Sequence, residues 1–154
     1  MKYRVLFVCH GNICRSPMAE FVMKEILRRR GLEDFVEVES AALHTDEIGS
    51  DIHHGTRGVL REKAIPFTPR AAWLLTREKA AKYDLVLGMD SYNMRDLRRL
   101  LGDESAKAHL LLDYAGRGGE AIADPWYTGD FDATWRDVLA GCEGLADHLE
   151  KMFR

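Results

Sequence analysis

Four short apolar runs alternate along this chain with segments whose apolar residues recur at helical spacing, and this alternation restricts the possible folds most. Tyr3 to Val8, Phe35 to Glu39, Asp84 to Met89 and His109 to Leu112 read as strands. Pro17 to Arg30, Thr56 to Ala64, Arg70 to Lys82 and Tyr92 to Leu101 read as helices, and a last helix runs from Asp132 to Phe153. In the first helix Met18, Phe21, Val22, Ile26 and Leu27 share a face, and Gly31 stops it. In the last, Trp135, Val138, Leu139, Cys142, Leu145, Leu149 and Met152 form one stripe, so Cys142 is a core residue. Short strands separated by helices imply a parallel sheet with right-handed crossovers and helices over its faces. Ligands bind such sheets beyond the carboxyl ends of the strands. A chain of 154 residues suits one domain, 1–154, whose core needs neither disulfide nor metal.

Cys9 stands at the carboxyl end of the first strand, in the loop V-C-H-G-N-I-C-R-S-P-M-A-E, and five residues separate it from Arg15. Ser16 is expected to cap the following helix, with Pro17 at its first position. The amides of this turn then point into the loop at the positive end of a helix dipole, which suits a phosphate dianion. A thiol held there is stabilised as thiolate by the same amides and by Arg15. Gly11 lets the backbone approach a ligand, and Asn12 tolerates the left-handed conformation of a tight cradle. Arg15 can present two parallel donors to phosphoryl oxygens. The loop lacks the G-K-[ST] ending of a nucleotide-binding Walker sequence, and C-x4-C without further ligands is a poor zinc site. Phosphoryl transfer through a cysteine also needs a general acid, and Asp124, stiffened by Pro125 in the loop after the last strand, is the candidate.

A net charge of −3 argues against a dedicated nucleic-acid binder. The basic clusters Arg28-Arg29-Arg30 and Arg95-Arg98-Arg99 sit on predicted helices and read as solvated faces. The three cysteines, two in one short loop, are no secreted disulfide framework. No signal peptide is visible, and no run approaches the roughly 20 apolar residues that span a bilayer. The expected location is the cytoplasm, without membrane association.

Cys9-x5-Arg15-Ser16 together with D-P-W-Y at Asp124 resembles the low-molecular-weight protein tyrosine phosphatase family. The likeness continues through Ser40-Ala41, Tyr83 to Val86, Met89-Asp90, G-D-F and Gly141-Cys142, covering nearly the whole chain. It implies a Rossmann-like, phosphotyrosine phosphatase I-like α/β fold in three layers, with a four-stranded parallel sheet ordered 2-1-3-4. It also implies a monomer that needs no cofactor or metal and acts on phosphotyrosine in proteins or on small aryl phosphates. Cys9 would attack phosphorus, while Arg15 and the loop from His10 to Cys14 hold the phosphoryl oxygens. Asp124 would protonate the leaving group and then activate water. Ser16 would hydrogen-bond the thiolate, and Asn12, bonded to Ser16 and Ser40, would hold the loop in shape. Cys14 would form a reversible disulfide with Cys9. Ile13, where phosphoarginine phosphatases of the family tend to have threonine, favours an aryl group, and Trp126 and Tyr127 would form the opposite wall.

The chain also departs from the family pattern. Asp46 stands where a bulky or aromatic rim residue is usual, Ala42-Leu43 replaces Gly-Thr after Ser40-Ala41, and Arg70 and Trp73 replace a histidine and an arginine. The alternatives are a phosphoarginine phosphatase, an arsenate reductase of the same fold, or a phosphate-binding module without turnover. Arsenate reduction needs further relay cysteines, and only Cys14 and Cys142 are available.

Overall fold

A computed structural model describes every residue from Met1 to Arg154. Strands β1 (Tyr3–Cys9), β2 (Val36–Ala42), β3 (Leu85–Gly88) and β4 (Ala108–Leu110) form one parallel sheet in the order β2-β1-β3-β4. The helices are α1 (Arg15–Arg29), α2 (His54–Glu62), α3 (Arg77–Ala80), α4 (Ser91–Leu101), α5 (Pro125–Thr128) and α6 (Phe131–Phe153). The central strand explains the layering. Its side chains alternate, so Val5, Phe7 and Cys9 enter the larger core with α1, α2 and α6, while Leu6 and Val8 enter the smaller core with α4. A strand buried on both faces must be continuously apolar, as Val5 to Val8 is. The order turns both ways from β1, to β2 on one side and β3 on the other, so the Cys9 loop opens at the topological switch.

Several expected boundaries move for identifiable reasons. α1 starts at Arg15 with Cys14 in the cap position, so Ser16 is not the cap; it lies in the first turn, and its hydroxyl turns to Cys9 and Asn12. β2 extends to Ala42 because the segment that follows α2 pairs with it: Ala42 N–H donates to the Trp73 carbonyl and Leu75 N–H to the Ala42 carbonyl, both at 2.8 Å. That pairing also shortens the helix expected from Arg70 to Lys82 to the four residues of α3, which Thr76 caps. α2 begins two residues early because His53 accepts the Gly55 N–H and serves as its cap. β4 shifts to Ala108–Leu110, and Leu111–Ala115 coil into a 3-10 turn against α6. Gly141 and Gly144 make that approach possible: a Cβ on Gly144 would lie 1.9 Å from the Tyr114 carbonyl oxygen.

The basic run at the end of α1 is tied down rather than free. Arg28 and Arg29 hold Glu25, and Arg30 bridges to Glu143 and Asp147 of α6 at 2.7 Å each. Cys142 is fully buried, as its place on the stripe predicts. No helix is long and apolar enough to cross a membrane.

Candidate active site

The carboxyl end of β1, the first turn of α1 and the start of α5 converge on one pocket, lined by Cys9, Arg15 and Asp124 among others. Its floor is the loop from Cys9 to Arg15. Asn12 adopts φ +59°, the left-handed conformation that bends the loop back under itself, and is fully buried. Its Nδ2 group donates to Ser16 Oγ at 2.8 Å and to Ser40 Oγ at 3.0 Å, and Ser40 Oγ donates to Glu20 Oε1 at 2.5 Å. Ser40 spends its one proton on the Glu20 oxygen and so accepts from Asn12. Ser16 likewise accepts from Asn12, and its hydroxyl lies 3.1 Å from Cys9 Sγ, to which it donates when the sulfur is a thiolate. Register explains why Ser40 reaches the loop: it pairs with Phe7 on β1, two residues before Cys9.

Arg15 is almost wholly buried, although its charge faces the pocket. Its Nη1 group is committed, donating to Asp90 Oδ2 at 2.7 Å and to the Ile122 carbonyl at 2.9 Å. Nη2 reaches Asp124 Oδ2 at 3.4 Å, and Nη2 and Nε supply the donors for an oxyanion. Burial opposes the charge of Arg15, but Cys9, Asp90 and Asp124 outweigh it and raise its pKa. Asp124 caps α5, with Oδ1 accepting the Trp126 N–H at 3.0 Å, so one oxygen is fixed by the backbone while the other faces Arg15.

The rim is asymmetric. Trp126 and Tyr127 line one side, 56% and 84% exposed, which removes the core role that aromatic residues often have. Trp126 is steadied by His53, edge to face at 5.7 Å, and His53 stacks on Phe131. Ile13 lines the pocket too, and is mostly buried against Cys14 and Ala72. Asp46 does stand at the mouth, where its Oδ2 meets His10 Nε2 at 2.5 Å, and this hydrogen bond lowers the carboxyl pKa. The His10 ring stacks on His44, which pairs with Asp96. The loop role expected of His10 therefore falls to its backbone, whose carbonyl accepts the His44 N–H.

Gly11 lies under Glu47, whose Cγ would be 3.4 Å from an added Cβ. Cys9 and Cys14 are both free thiols, and burial pushes the Cys14 thiol up to about 12. Sequence reasoning missed three acids here. Asp90 follows β3, at the carboxyl edge where ligand sites lie, so its position was a usable signal. Glu20 and Glu47 gave none.

A sequence model of the family described as low molecular weight phosphotyrosine protein phosphatase matches residues 4–154. The chain is 36% identical over 150 residues to the low molecular weight protein-tyrosine-phosphatase YfkJ of Bacillus subtilis, covering 96% of each chain. It is 32% identical over 147 residues to PtpA of Staphylococcus aureus, a protein with the same description, covering 96% of this chain and 94% of the other. The crystal structure of YfkJ superimposes with a TM-score of 0.95, covering 100% of this chain and 98% of that one at 34% identity. That of SP-PTP, a low molecular weight protein tyrosine phosphatase from Streptococcus pyogenes, gives 0.84 at 37% identity, covering 97% and 93%.

Proposed function

The chain belongs to the low molecular weight phosphotyrosine protein phosphatase family, and from that premise we propose that its pocket hydrolyses phosphotyrosine in proteins through a phosphocysteine on Cys9. The observation that carries the assignment of roles is the convergence of Cys9, Arg15 and Asp124 on one pocket, with Ser16 directed at the sulfur.

In the first step the Cys9 thiolate attacks phosphorus as the bond to the tyrosyl oxygen breaks. Protonated Asp124 gives its proton to that oxygen, so phenol leaves rather than phenoxide. Arg15 Nη2 and Nε, with the loop amides, bind the equatorial oxygens, whose charge is spread in the transition state. In the second step water attacks the phosphocysteine while the Asp124 carboxylate takes its proton. The sulfur departs as thiolate, stabilised by the Ser16 hydroxyl, and inorganic phosphate is released. Both steps balance without any outside electron donor. Asp90 serves by holding Arg15, and Trp126 and Tyr127 offer an aromatic wall to the phenyl ring.

The relay that arsenate reduction needs has no support. Cys142 lies wholly in the core, with its sulfur toward the Ala19 carbonyl at 3.7 Å. The test is turnover of a phosphotyrosine peptide, with phosphoarginine and arsenate as comparison substrates and Cys9→Ser and Asp124→Ala as variants. We expect turnover of the phosphotyrosine peptide, none by Cys9→Ser, and a loss of about a hundredfold or more in Asp124→Ala. A native chain that hydrolyses no phosphotyrosine would overturn the proposal.

A further inference from the structure

His53 joins the loop under the pocket to the aromatic rim above it. Its backbone N–H donates to the Ile13 carbonyl at 2.9 Å. Its Nδ1 accepts the Gly55 N–H at 3.0 Å, so a neutral ring carries its proton on Nε2. The imidazole stacks on Phe131, with centroids 5.3 Å apart and planes 14° apart, and on His54 at 4.2 Å. Trp126 meets the same ring edge to face at 5.7 Å, with planes 77° apart.

The two partners of this contact are held very differently. Phe131 rests directly on the backbone of α2, since a Cβ on Gly55 would lie 2.5 Å from its ring, and it also packs against Ile13, Cys14 and Ala72. His53 is therefore pinned by a hydrogen bond through its ring and by a fixed stacking partner. Trp126 has its backbone N–H held by Asp124, but its side chain is largely exposed and its indole makes no hydrogen bond. The one aromatic ring against it is His53.

We propose that His53 is a positioning residue that sets the preference for aryl phosphates, by holding Trp126 in the orientation that meets the phenyl ring. The proposal rests on the reading of the pocket as a phosphotyrosine site. A free indole would lose its rotamer freedom each time substrate bound, and that loss would weaken binding. An indole already placed by His53 loses none. Burial lowers the His53 pKa, aided by His54 and Arg57 against Glu47, so the form that accepts the Gly55 N–H prevails at neutral pH.

A role confined to capping α2 is separable by substitution. His53→Asn keeps a capping oxygen and removes the ring, whereas His53→Phe keeps a ring and removes the acceptor. The readouts are the dissociation constants of benzylphosphonate and of inorganic phosphate by titration calorimetry at one pH, and kcat and KM on a phosphotyrosine peptide. In His53→Asn benzylphosphonate should bind about three- to tenfold more weakly, with phosphate unchanged. KM should rise by the same factor while kcat holds. In His53→Phe both ligands should bind as in the native chain, with a lower melting temperature. In a Trp126→Ala background, His53→Asn should add nothing to the loss already present.

Equal weakening of both ligands in His53→Asn, no weakening of either, or additive losses with Trp126→Ala would overturn the proposal. If the phenylalanine variant does not fold, the asparagine variant and the double-mutant cycle decide. Should the native chain fail to hydrolyse phosphotyrosine, the functional reading falls, while the two dissociation constants still judge the role of His53.

Discussion

Ser16 Oγ accepts from Asn12 Nδ2 at 2.8 Å and lies 3.1 Å from Cys9 Sγ, so a thiolate at Cys9, which can only accept, takes the one hydroxyl proton of Ser16. The sulfur is a nucleophile in the first step and a leaving group in the second, and a donor to it matters most when it leaves. A hydrogen bond to a charged group contributes about 1.5–3 kcal/mol, roughly ten- to a hundredfold in rate. Ser16→Ala should therefore lower kcat by that factor and accumulate phosphocysteine, seen as a burst of phenol in rapid-quench kinetics. A variant that loses activity without a burst would place the effect on attack rather than departure.

Asp46 lines the pocket mouth with a largely exposed side chain whose ionised form His10 favours. A fixed negative charge there disfavours substrates with acids beside the phosphotyrosine. Asp46→Asn keeps an oxygen for His10 and removes the charge. The value of kcat/KM should rise about two- to fivefold for acid-flanked phosphotyrosine peptides and stay unchanged or fall for lysine-flanked ones. High salt should erase the difference, because the charges are exposed. An equal effect on both peptides would assign Asp46 a steric role.

The parts of the site legible in the sequence are those whose chemistry is local. Cys9, Asn12, Arg15 and Ser16 sit within one loop, and β1 announces itself because a strand buried on both faces is apolar throughout. Asp124 is legible through the Pro125 that follows it. What was not legible depends on partners far along the chain. The residues after Arg70 have helical spacing, yet Leu74 pairs with Ala42 on the sheet, and tertiary pairing overrides propensity. Glu20 looks like any polar position on α1 until Ser40, twenty residues away, turns its hydroxyl toward it. Ser16 has the composition of a cap, but the loop offers it Cys9 and Asn12 instead.

Gly144 carries a packing demand that composition does not reveal. A Cβ there would meet the Tyr114 carbonyl oxygen at 1.9 Å and its carbon at 2.6 Å, and both are backbone atoms. Ala is otherwise the better helix former by about 1 kcal/mol, so propensity and packing point in opposite directions. Packing wins, because the 3-10 turn at Leu111–Ala115 would have to lift from α6. Gly144→Ala should destabilise the fold by about 3 kcal/mol in urea denaturation, whereas Gly58→Ala, with open space around it, should not. Equal stability of the two variants would show that the turn shifts freely.

Glu25 makes the acid limb of stability testable away from the active site. Arg28 holds its carboxylate with Nε at 2.7 Å and Nη2 at 2.9 Å, and Arg29 Nε adds a third bond at 2.9 Å. These bonds, that of Arg28 first, bring the carboxyl from 4.5 down to about 2. The folded chain thus binds this proton less readily than the unfolded chain. The stabilisation is complete above pH 4.5 and is lost as the pH falls toward 2. The carboxylate is covered, but the two arginines are 58% and 59% exposed, so solvent screening reduces its worth to about 1 kcal/mol. Glu25→Gln should cost that amount at pH 7 in urea denaturation, and the gap should close between pH 4.5 and pH 2. A gap independent of pH would assign the loss to packing at Glu25 rather than to its charge.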